Sequence, residues 1–201
     1  LLQALALGLA GVANGAGDIA GQRRRIEHDQ MAGVGPATWV MARFAGAIPW
    51  LVIQAVWTTF VVSSVLALPG SGGMRGFGVF LLLAASTAVA MAFSAYAKSA
   101  ARAAVACAVS GFVLVPLCGV VLAPPEVLAG VARAVFPPFW GWSGALQALG
   151  GSPHRDAVLM VAGRDLVAPV LGFGVLVVQA AAGLAVAIRG CSRHDRPSRG
   201  G

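Results

Sequence analysis

Apolar residues along this chain run in long, nearly uninterrupted blocks, not in the every-third-or-fourth rhythm of a soluble amphipathic helix. Crossing the hydrocarbon core of a bilayer takes about 20 largely apolar helical residues, and the blocks at 37–68, 77–96, 103–123 and 166–188 reach that length. The block at 1–13 is equally apolar, but as a helix it extends only about 20 Å at 1.5 Å per residue. It is expected to be the end of a span cut short, and the chain a fragment. Residues 124–165 are too long for a turn and too interrupted for a span. There "PPEVLAGVARAVF" and "PPFWGWSGALQAL" predict short interfacial or re-entrant helices on the outer side, with Trp140 and Trp142 placed for an aromatic belt. The expected fold is all-α, a polytopic transmembrane helical bundle of four full spans and one truncated span forming a single domain. Small-residue runs such as "LLLAASTAVAMAFSA" and "QAAAGLAVA" suit close helix packing.

Composition agrees with the blocks. Hydrophobic residues make up 58% of the chain and charged residues 10%, where soluble domains carry about 25% charged. The net charge of +7 raises the question of nucleic acid, but its placement answers it. Residues 18–43, 98–102 and 189–201 hold ten Lys and Arg against four acids, while the intervening loops hold Arg75, Arg133, Arg155 and Arg164 against Glu126, Asp156 and Asp165. Cationic excess on alternate loops is the signature of cytoplasmic orientation. It predicts a multi-pass plasma-membrane protein with residues 18–33 and the tail 189–201 cytoplasmic, touching membrane lipids and no nucleic acid.

Motifs for chemistry fail on inspection. "HRD" at His154–Asp156 lacks the kinase asparagine, since Val161 stands there. The Lys98–Ser99 pair lacks the glycines of a phosphate loop. Cys107, Cys118 and Cys191 show no metal or disulfide spacing. No carboxylate lies in an expected span, which argues against a proton relay. No catalytic residue and no metal site are therefore assigned.

The segment that stands apart is "DIAGQRRRIEHDQMAG", Asp18–Gly33, a dense mixed-charge stretch between two apolar blocks. Asn14 or Asp18 is placed to cap a helix there. Helical spacing would pair Arg23 with Glu27 and Arg25 with Asp29, over a thin apolar stripe of Ile19, Ile26 and Met31. Further on, Pro36 is set to start the next helix. The "PGSGGMRGFG" stretch reads as a short outer turn. A lipid-touching loop and a lever for another protein both fit these residues.

The longer stretch "DIAGQRRRIEHDQMAGVGPATWVMARFAGAIPWLVIQ" resembles the segment joining the second and third spans of ABC exporter permeases of the ABCG-like type. Asp18 and Ile19 fill that family's first acid–Ile pair, Asp29 its second acid, Gly33 its glycine, Trp39 its aromatic, Arg43 its basic residue and Pro49 its proline. Gln22 stands where an acid is common and Gln30 where Arg is common.

The resemblance implies a coupling helix. Asp18, Arg23, Arg25, Glu27, Asp29 and Gly33 would meet a nucleotide-binding domain, fused or separate, that carries ATP and Mg. The chain itself would bind no cofactor and be no enzyme. A second, identical permease domain would complete a homodimer exporting an amphipathic or lipid-like substrate, with Gln54, Thr58 and Phe60 at the cavity and Pro49 and Pro116 as hinges. For Gln54, Thr58 and Phe60, contacts between helices are the competing expectation. The alternative functions are a non-transporting scaffold that recruits a cytoplasmic partner through its basic loop, and an intramembrane enzyme acting on lipids.

Overall fold

The computed structural model describes residues 2–66, 71–115, 137–147 and 169–193, with isolated positions 127, 130, 131, 134 and 156. Within them the regular structure is all helix: α1 (Leu2–Gly15), α2 (Asp18–Gly21), α3 (Arg23–Met31), α4 (Pro36–Leu66), α5 (Gly72–Tyr96), α6 (Ala100–Val115), α7 (Pro138–Gln147) and α8 (Pro169–Arg193). Three of these, α4, α5 and α8, are long and apolar enough to cross a membrane. The expected span at 103–123 is described only as far as Val115, so its outer part and the Pro116 hinge lie outside the described residues. Of the expected outer segment 124–165, α7 is the described helix, and residues 194–201 of the tail also lie outside.

Helix α5 is the axle. Of its most apolar stretch 67% is buried, against 11% for α4, and α1, α4, α6, α7 and α8 all pack around it. Its sequence explains the role, because the small residues Ala84, Ala85, Ser86, Ala88 and Ala90 present little bulk and are all buried. The facing helices answer with glycine. A Cβ on Gly11 of α1 would come 2.6 Å from the Ser86 Cβ and 2.9 Å from the Leu83 carbonyl oxygen. One on Gly183 of α8 would come 2.8 Å from the Ala88 carbonyl carbon. Backbones this close form dispersion contacts that larger side chains would hold apart. Thr87 adds a hydroxyl bond of 3.1 Å to the Gly11 carbonyl oxygen, joining α5 to α1.

Two boundaries depart from expectation. The "PGSGGMRGFG" stretch is not merely a turn, because α5 begins at Gly72. Ser71 is extended at the N-cap and its Oγ accepts from the Met74 N–H, at 3.3 Å, satisfying a donor that the first helical turn leaves open. Arg75 is consequently helical and buried, not in a loop, and donates to Ser63 Oγ of α4 at 3.3 Å. Helix α8 runs past the expected end at 188 to Arg193. Pro36 does open α4, and Pro49 lies inside that helix, where its missing N–H leaves one turn without its hydrogen bond.

Substituting Gly183→Ala is expected to force α8 off α5 and cost about 1–3 kcal/mol. Gly174→Ala, with open space at its Cβ, is the matched control. Thermal unfolding in detergent checks it: a lowered midpoint for the first and not the second is expected.

Candidate functional site

The charged segment folds as two short helices broken at Gln22, and it is anchored from beneath. Ile19 of α2 and Ile26 of α3 are both buried among Val40 of α4, Met91 and Ala95 of α5, and Ala187 and Cys191 of α8. Burying two such side chains contributes roughly 1.5–3 kcal/mol each. The apolar stripe is thin but sufficient to seat the segment across the ends of three long helices.

Polar groups then fix its position. The N-terminal N–H groups of α2 lack intrahelical acceptors, and Gly17 at the N-cap offers no side chain. Ser94 of α5 supplies what a local cap would. Its fully buried Oγ accepts from the Ile19 N–H at 3.2 Å and the Ala20 N–H at 3.0 Å. In return Arg23 donates to the carbonyl oxygens of Ala95 and Ala97, at the C-terminus of α5, where acceptors are in excess and the helix dipole favours a cation. Each helix end caps the other.

This arrangement corrects two expectations. Asn14 caps nothing here: it donates across to Gln54 Oε1 of α4 at 2.9 Å, while the side chain of Asp18 lies outside the described residues. The anticipated Arg23–Glu27 and Arg25–Asp29 ion pairs do not form among the described residues. An exposed pair gains only about 0–1 kcal/mol, so Arg23 goes to the buried carbonyls instead.

Facing away from the bundle, Arg24, Arg25, Glu27 and His28 are exposed, with Asp29 half-buried. The segment ends at Gly33, whose φ of +90° is left-handed. Its N–H bonds the Gln30 carbonyl oxygen at 2.9 Å and the Val34 N–H bonds that of Asp29 at 3.0 Å, a Schellman closure that favours glycine. The corner opens a groove of about 600 Å³ lined by Glu27, Gln30, Met31, Val34 and Pro36. Met31 on its rim is 81% exposed.

The three expected cavity residues all lie on α4. Gln54 is committed to Asn14, and the Thr58 hydroxyl donates to the Gln54 carbonyl oxygen at 2.7 Å. Phe60 is exposed beside Trp57, ring centroids 6.4 Å apart. No group of three His, Cys, Asp or Glu among the described residues is placed to hold a metal. Comparison with known proteins finds no family model and no curated protein that matches the chain.

Ser94→Ala strips the acceptor from two buried N–H groups and is expected to cost about 1–2 kcal/mol; amide exchange at Ile19 and Ala20 should rise while the middle of α5 stays protected. With no Arg25–Asp29 ion pair among the described residues, Arg25→Glu and Asp29→Arg are expected to add within about 0.5 kcal/mol in a double-mutant cycle. A clear rescue in the double variant would show that they interact after all.

Proposed function

We propose that this chain is the membrane-spanning part of an ATP-driven exporter of the ABCG-like type, with α2–α3 as its coupling element. In this reading the charged end of the bundle faces the cytoplasm, and a nucleotide-binding domain, fused or separate, docks on the exposed face of α3. ATP and Mg belong to that domain. Two copies of the bundle form the transport path, and an amphipathic or lipid-like molecule is the cargo.

The observation that carries the reading is the reciprocal capping of α2–α3 and α5 through Ser94 and Arg23. A coupling element must be stiff where it meets the bundle and polar where it meets the motor. The buried Ser94 bonds and the part-buried Arg23 bonds supply the first. Exposed charges of both signs supply the second, since charge-assisted hydrogen bonds are directional and tolerate water. The groove at the α3–α4 corner, with Met31 projecting from its rim, gives the docking partner a recess and an apolar knob. Arg23, Lys98 and Arg193 also belong to one end of the bundle, joined through Ala97, Tyr96 and the buried cluster beneath α3. This gathering supports the cytoplasmic orientation of that end.

A photocrosslinker placed at Met31 in native membranes tests the assignment. Capture of an ATPase domain, with a yield that changes when vanadate traps the nucleotide, is the expected result. Capture of a protein without ATPase activity would favour a recruiting scaffold and overturn the exporter reading.

A further inference from the structure

We propose that the groove between α5 and α8 binds an anionic phospholipid from the leaflet at the charged end, an acyl chain lying in the groove and the phosphate held by Arg189 and Arg193. This rests on the membrane-spanning character of α5 and α8 and not on the exporter reading. The groove, of about 580 Å³, is walled by Val89, Ala92 and Phe93 of α5 and by Val178, Ala182 and Val186 of α8. Its floor is where Gly183 brings the two backbones together. The wall is apolar along its length, and the one amide there, Gln179, turns its Nε2 to the Ala134 carbonyl oxygen at 3.0 Å.

The two ends differ. Towards the charged end the groove reaches Tyr96, and the Arg193 guanidinium lies 5.7 Å from the centroid of that ring. Cation–π contact of this kind uses the face of the guanidinium and leaves its in-plane N–H groups to bind phosphate. Positions 178, 182, 186, 189 and 193 recur at helical spacing, so both arginines continue the face that forms the wall. Both are exposed. From Val178 to Arg189 the helix rises about 16 Å, close to half of the roughly 30 Å hydrocarbon core. A cation therefore sits about one leaflet's depth along the helix from Val178, the far lining residue of the apolar trough on α8. Neither helix carries an acid, and Glu27 of α3, which comes near Cys191, is a single acid beside two arginines. Apolar wall, matched depth and a local excess of positive charge together select an anionic lipid over a zwitterionic one.

The test uses the whole chain in nanodiscs of equal phosphatidylglycerol and phosphatidylcholine with matched acyl chains, released into native mass spectrometry. Each cation near a membrane surface favours an anionic lipid by about fivefold, so adducts should favour phosphatidylglycerol roughly tenfold or more. R189Q/R193Q should bring that ratio near one. Ala182→Trp, filling the groove from an exposed position, should reduce adducts of both lipids, with helicity by circular dichroism unchanged in each variant. Equal retention of the two lipids by the unaltered chain overturns the proposal. So does undiminished phosphatidylglycerol binding in Ala182→Trp, which would assign the preference to surface charge alone.

Discussion

The Ser94 hydroxyl, buried at one end of α5, accepts the first free N–H groups of α2, and the structure at that end is organised around it. Without it two donors would be buried with no acceptor, a cost of about 1–2 kcal/mol, and α2 would have no reason to begin where it does. The bond also places Ile19 over the buried cluster and brings Arg23 to the carbonyls that end α5. Local sequence could not have made this cap, since Gly17 at the N-cap has no side chain to offer. The tertiary contact performs a task usually done within a few residues, so the segment cannot hold this form independently of the bundle.

That dependence matters because α5 is itself held by close backbone contact. Glycines of α1 and α8 lie against its small residues on two sides, and glycine-mediated packing is sensitive to displacement because little side-chain bulk can adjust. Helix α4 differs: it is long, exposed along much of its surface, and interrupted by Pro49. The segment α2–α3 bridges these two kinds of helix, seated on α5 and leading through Gly33 into α4. A displacement at α3 would thus reach a firmly packed helix and a loosely held one together.

Much of the fold was legible in the residues. Long apolar blocks pointed to the helical class and to four full spans, of which three are helices long and apolar enough to cross a membrane among the described residues, and Pro36 marked a helix start. Small-residue runs foretold the close packing around α5. The seating of the charged segment was legible only in part: Ile19 and Ile26 appeared as a thin stripe, but nothing in the sequence names Ser94 as their partner 75 positions away. Among the described residues the ion pairs suggested by spacing are not made: exposed charges gain little from each other, and Arg23 turns to the carbonyls at the end of α5. Gln54 has a polar partner on another helix, which periodicity within its own helix cannot reveal.

The central claim is that α2–α3 and the adjoining end of α5 move as one body. Spin labels at Arg24 and Lys98, both exposed, measure it directly by pulsed electron paramagnetic resonance on the chain in nanodiscs. The account predicts a single narrow distance that broadens when Ser94 is replaced by alanine. A distance that is broad from the outset, or that stays equally narrow in the alanine variant, would contradict it.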